Sequence, residues 1–205
     1  MMKNNEVSVC GEIIRNGVFV YENDGEKFYD ILLKMENEQM DVCTVLLSER
    51  LLENTEACKG TRVSVRGSLR SYSNRENRSR LQLKVFAKTL FLDDTDNDNC
   101  EVRLTGTICK PIIFTTTNKG EKIARTVLSV EREGNVSDYI PLITYDYGAE
   151  KMQDWKVGDK LLAIGTLKSK QRKEKISDME MYIKTEVADE VFIGIFDRIE
   201  GFEEI

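Results

Sequence analysis

Histidine is absent from all 205 residues. That removes the imidazole general base, the Ser-His-Asp arrangement and every His-ligated metal site together. Proline occurs only twice, which excludes proline-rich linkers. No run of about 18 apolar residues exists, so no membrane-spanning helix is expected. The N-terminal stretch MMKNNEVSVCGE has no apolar signal core, and a cytoplasmic location is expected. The five cysteines are Cys10, Cys43, Cys58, Cys100 and Cys109. None forms a C-x-x-C pair, so they read as reduced thiols and not as a metal site. There is also no phosphate-binding glycine loop and no paired-carboxylate motif, so an enzyme is the least supported class. No cofactor, metal or small-molecule substrate is expected.

What is present is an uneven charge distribution. Acidic residues outnumber basic ones 36 to 30, for a net charge of -6. The excess is local. DDTDNDN (93–99) carries four Asp and no base, and 194–205 carries four acids against one Arg. The long segments 1–92 and 100–193 are close to neutral. An acidic linker and a short acidic tail thus flank two balanced units.

The two units repeat each other. NDGEKF (23–28) and NKGEKI (118–123) share four of six positions. At the same spacing Val7 matches Val102, Gly11 matches Gly106, Arg15 matches Lys110, and Phe19 matches Phe114. The spacing drifts by small steps, through Val45/Leu142 and Gly67/Gly165, to AKTLFL (87–92) against ADEVFI (188–193). Drift confined to turns is the mark of a duplicated domain with tolerant loops. Each copy reads as three alternating strands, one short helix and two more strands, with a charged hairpin before the last. That order predicts an all-β protein of two tandem five-stranded Greek-key barrels, the OB-fold: domain one over 1–92, domain two over 100–193. In the second helix Ala149, Met152 and Trp155 recur every three residues as one apolar face, so Trp155 is expected to be structural.

GTICKPIIFTTTNKGEKIARTVLSVER, then DYIPLITYDYGAEKMQDWKVGDKLLAIGTLKS, resembles the bacterial single-stranded DNA-binding protein (SSB) family. SVCGEI, CKGTRVSVRGSL and AKTLFL carry the weaker resemblance of the first copy. Together the two copies span nearly the whole chain. The resemblance implies single-strand binding by a basic groove and stacking aromatics, and four OB domains per assembly, hence a homodimer of this chain. It also implies that Tyr139 and Tyr145 stack bases.

The residues agree with that chemistry. The hairpin of copy one carries Arg66, Arg70, Arg75, Arg78 and Arg80 against one acid, with Tyr72 among them. That of copy two carries Lys168, Lys170, Arg172, Lys173 and Lys175, again against one acid. A charged loop can simply be a solvated loop; its recurrence at an OB binding loop favours phosphate contact. Tyr139 and Tyr145 are six residues apart, so they share a strand face while Ile140, Leu142 and Thr144 face the core. Copy one has Val42 and Ser48 there, which cannot stack a base. Phe114 and Phe19, in the first hairpins, could either cap the barrels or contact a ligand. Phe28, Arg15, Lys110 and Arg125 are weaker groove candidates. Asp93, Asp94, Asp96 and Asp98 lack the Gly and terminal Glu of a calcium loop and read as a linker. The expected partner is single-stranded DNA, with RNA as the alternative ligand, and an OB-fold protein-interaction adaptor as the rival class.

Overall fold

The computed structural model describes the chain except residues 1–3, 36–41, 74–80, 96–97, 169–170, 176–180, 186–189 and 199–205. For residues 73, 171–175, 181–185, 190 and 195–198 it describes the backbone alone.

The first repeat runs β1 (Asn5–Asn23), β2 (Glu26–Lys34), β3 (Val42–Ser48), α1 (Glu49–Thr55), β4 (Arg62–Ser73) and β5 (Leu81–Leu92). β1 pairs with β2 and β4, β2 with β3, β4 with β5, and β3 runs parallel to β5. The ring 1-2-3-5-4-1 is the closed OB barrel. The second repeat has β6 (Asn99–Ile108), β7 (Ile113–Thr116), β8 (Lys122–Arg132), β9 (Val136–Tyr145), α2 (Tyr147–Lys151), β10 (Lys160–Lys168) and β13 (Glu190–Arg198). A ribbon of β11 (Gln171–Lys175) and β12 (Met181–Thr185) stands between β10 and β13. β6, β8, β9, β13 and β10 close the second ring with the same parallel step, β9 beside β13.

Two details differ from the sequence reading. The long first strand is unbroken in repeat one but split into β6 and β7 in repeat two, at Lys110-Pro111-Ile112. Proline has no N–H for the ladder, whereas the matching Asn16 lets β1 pass through with a register irregularity. β13 also continues past the expected boundary at 193 to Arg198, pairing Leu161 with Arg198. Residues 194–198 are therefore strand and not tail. The spacing of three in Ala149, Met152 and Trp155 resolves as one α-turn followed by a 3₁₀ turn over Met152–Asp154. Ala149 and Met152 are buried, and Trp155 packs part-buried against the core.

The barrels are joined edge to edge. β1 and β6 pair antiparallel, with Val7 opposite Val102, its own equivalent in the repeat. Asn5↔Leu104 and Val9↔Cys100 exchange by a half-turn about that pair. A local two-fold axis therefore passes through Val7/Val102. The reason is the free edge. Each first strand turns onto its neighbour only from about Gly11 or Gly106 onward, leaving its early half unpaired on one side. An exposed edge invites aggregation, and here each repeat covers the other's. One cluster of buried apolar side chains runs through both barrels.

A second joint is polar. Ser71 on β4 donates from its backbone N–H (2.9 Å) and hydroxyl (3.4 Å) to the Asp138 carboxylate on β9. The Tyr139 N–H donates to the Ser71 hydroxyl at 2.9 Å. Arg132 lies 3.7 Å from the other Asp138 oxygen. Asp138 is 1% exposed, so these partners are what make burial of its charge tolerable. The linker is tied down as well. Arg62 bonds Asp98 and approaches Asp93, and Thr95 donates to Asp93 from both its backbone and its hydroxyl.

Candidate nucleic-acid interface

β9 alternates as its composition predicts. Ile140, Leu142 and Thr144 are buried, while Tyr139 is 50% and Tyr145 36% exposed. Both tyrosines stand on the outer face, Tyr139 near the middle of the strand and Tyr145 at its end. Beside Tyr145 lies Phe192 of β13, with ring centroids 5.6 Å apart. Lys168 of β10 sits over Phe192, its Nζ 5.6 Å from the ring centre. Cations at this range are attracted to the ring quadrupole and can leave it for a phosphate.

The first barrel has a row of its own. Tyr21 (β1) stacks on Phe28 (β2), its cross-strand partner, at 4.8 Å and 19°. Phe28 stacks on Phe86 (β5) at 6.0 Å and 25°. The Arg70 guanidinium (β4) lies 3.6 Å over Phe86. Lys84 pairs with Asp30 at 2.6 Å and stands 5.3 Å over the Tyr72 ring. These rings and cations are half-buried, so each keeps a solvent face. Burial pushes the Tyr21 and Tyr72 hydroxyls above the ordinary phenol range, with nearby Arg70 pulling the other way. Both phenols stay neutral at neutral pH and place no anion in the row.

The structure corrects the alignment of the last strand. The sequence reading matched AKTLFL to ADEVFI, which sets Phe91 against Phe192. The strand register sets Phe86 against Phe192 instead. Val45 pairs with Val85 in one barrel and its equivalent Leu142 pairs with Val191 in the other. The bulges agree: a Cβ at Gly67 would run into the Phe86 carbonyl oxygen, and one at Gly165 into that of Phe192. β strands crossing this closely leave no room for a side chain there. In this register Arg70 is equivalent to Lys168. Each barrel therefore has a cation over a phenylalanine at the same place. Phe86, Phe192, Tyr21 and Lys84 escaped the sequence reading because that pairing is non-local. The bulge glycines were the available signal.

The remaining candidates are dispersed. Arg66 is exposed but lines a separate depression over the β1–β6 seam, with Lys88, Phe91, Glu101 and Arg103. Phe19 (54% exposed) and Phe114 (46%) do not cap the barrels; they project from the β1–β2 and β7–β8 hairpins, Phe19 edge-on to Tyr29 at 5.9 Å. Arg15, Lys110 and Arg125 are exposed. Arg75, Arg78, Arg80 and Lys170 lie outside the described residues, and Arg172, Lys173 and Lys175 stand on β11, described in backbone only. Among the described residues no cluster of acidic, cysteine or histidine side chains could hold a metal ion, and no helix is long and apolar enough to cross a membrane.

No family model and no curated protein matches the chain. Solved structures do. A deletion mutant of the single-stranded DNA binding protein from Thermus aquaticus superposes with a TM-score of 0.75 at 20% identity, covering 98% of this chain and 97% of that one. The wild-type protein gives 0.72 at 19%, covering 98% and 95%. The N-terminal domain of PriB from Thermoanaerobacter tencongensis gives 0.40 at 34%, over 45% of this chain. The tandem OB-fold runs through both Thermus chains along nearly their whole length.

Proposed function

We infer that this chain, which shares the tandem OB-fold of the Thermus aquaticus single-stranded DNA binding protein, itself binds single-stranded DNA, without strong sequence preference and without catalysis. The observation that carries the reading is the outer face of β9. Tyr139 and Tyr145 are open there, and Tyr145 lies beside Phe192, over which Lys168 stands. Open rings take bases of any sequence, and adjacent cations take the phosphates. The basic residues of the two hairpins extend the phosphate path. Two chains would pair to give four OB domains, and such a protein would serve DNA replication, recombination and repair in the cytoplasm.

The adaptor reading has one observation of its own. Phe91 and Leu92 are each 60% exposed side by side, on a chain of net charge -6. A titration separates the two. Oligo-dT, the matching RNA and a DNA duplex are titrated at about 50 and 200 mM salt. Three to five phosphate contacts predict a fall in oligo-dT affinity of roughly 20- to 100-fold between those salts. Tyr139→Ala with Tyr145→Ala should weaken binding at both. Absence of binding at low salt refutes the proposal in favour of the adaptor; equal RNA binding widens the ligand to any single strand.

A further inference from the structure

We propose that the first barrel carries a second single-strand groove, in which the stacking ring has changed strands. The inference rests on the single-strand reading above. It starts from the end of the β2–β3 ladder, where Phe28 is opposite Ser48. The equivalent ladder end in repeat two sets Ile123 opposite Tyr145. One pair holds its ring on the second strand, the other on the third. Either way one ring lies beside the shared phenylalanine: Phe28 is 6.0 Å from Phe86, and Tyr145 is 5.6 Å from Phe192. The serine at 48 therefore does not leave the first groove bare.

The charges have exchanged in the same way. Asp30 on β2 and Lys84 on β5 form an ion pair in repeat one. Their equivalents are Arg125 on β8 and Glu190 on β13, fixed by the registers Asp30↔Leu46, Arg125↔Ile143, Arg70↔Lys84 and Lys168↔Glu190. Each position has reversed its sign. With Arg70 or Lys168 added, the three matched positions carry two basic residues and one acidic residue in each repeat. The net charge of these three positions, one positive, is thus the same in both repeats. A patch retained only to cover the barrel would keep its apolar area and has no need to keep a surplus cation beside it. A groove that must stack a base and hold a phosphate needs both, whichever strand supplies them.

The first groove is also the longer. Tyr21 extends its row to Tyr21–Phe28–Phe86–Arg70. Bases stack along the solvent faces of these rings, and Arg70 moves from Phe86 to the phosphate between them. The row points toward the second barrel: Ser71, next to Arg70, bonds the backbone of Tyr139. A strand leaving the first groove therefore meets Tyr139 of β9 first.

The test uses the full chain and poly-dT, with occluded length per chain read from stoichiometric titration and affinity from a long oligo-dT. Phe28→Leu with Phe86→Leu keeps apolar cover but removes the ring planes. It should shorten the occluded length and weaken long-oligo binding by about five- to a hundred-fold, the range for losing one stacked base. Combined with Tyr139→Ala and Tyr145→Ala it should remove the binding that remains. Phe28→Ile with Ser48→Tyr, which rebuilds the arrangement of repeat two, should restore binding. Tyr21→Leu, at the outer end of the row and outside the barrel cores, carries the test if the double variant fails to fold; a weakening of at least about five-fold is expected, the low end for one stacked base. Unchanged occluded length and affinity in folded variants overturn the second groove while single-strand binding stands. No binding by the wild-type chain overturns the single-strand reading itself, and the second groove with it.

Discussion

Replacing Asp138 by Ala tests the polar joint between the barrels. The carboxylate accepts from the Ser71 N–H at 2.9 Å and from its hydroxyl at 3.4 Å, and it is almost wholly buried. Alanine leaves the Ser71 N–H without its acceptor in a covered site, a loss of about 1–3 kcal/mol. Arg132 is 39% exposed, so losing its partner at 3.7 Å costs at most about 1 kcal/mol. Removing the desolvation penalty of the buried carboxylate works in the opposite direction. A net destabilisation of about 1–3 kcal/mol follows. In a chain of this size each kcal/mol lowers the melting temperature by about 2–4 °C, so a drop of roughly 2–12 °C is expected by calorimetry. Ser71→Ala should lose less, since its N–H still reaches Asp138 and the Tyr139 N–H that loses the hydroxyl acceptor belongs to an exposed residue. The double variant should be clearly non-additive, because both single changes remove the same hydroxyl–carboxylate contact. A melting temperature unchanged within 1 °C for Asp138→Ala, or strict additivity, would refute the joint.

Two further predictions follow from the geometry. Gly165→Ala drives a methyl group into the Phe192 carbonyl and should destabilise by about 1–3 kcal/mol, read as a lower denaturation midpoint; Gly194→Ala, whose nearest neighbour is a ring atom 4.0 Å away, should change little. The Asp93 carboxyl is held below the ordinary range chiefly by hydrogen bonds from Thr95, with Arg62 adding to it. A folded value below the unfolded one stabilises above about pH 4, and that contribution is lost as pH falls through the folded value. Amide exchange in the linker should thus be flat from about pH 5 to 8, after correction for intrinsic rates, and rise below about pH 4. Asp93→Asn should abolish that rise; an unchanged acid profile would refute the role of Asp93.

Much of this was legible in the chain because it is local. A two-residue side-chain period put Tyr139 and Tyr145 outward, and both are exposed. Strand, helix and strand in duplicate are the order that closes two OB barrels. Gly25 and Gly120 mark the hairpin turns, and both have positive φ. The helix face of Ala149, Met152 and Trp155 was correct in its burial, and its period of three already carried the 3₁₀ turn. In each case the signal lies within a few residues of its consequence.

The rest depended on contacts between residues far apart. β3 meets β5, and β9 meets β13, by parallel pairings whose register no turn dictates; the bulges at Gly67 and Gly165 then move the alignment of everything beyond them. For that reason the shared Phe86 and Phe192 stayed hidden, and Ser48 read as an empty place while its cross-strand partner Phe28 held the ring. The joining of β1 to β6 through Val7 and Val102 was equally out of reach, since an edge strand becomes visible as an unpaired edge only once the barrel has closed. That one barrel is written twice follows from patterns local to the chain. How the copies cover each other and which side chains share a groove emerge only on folding, because both depend on which strands become neighbours.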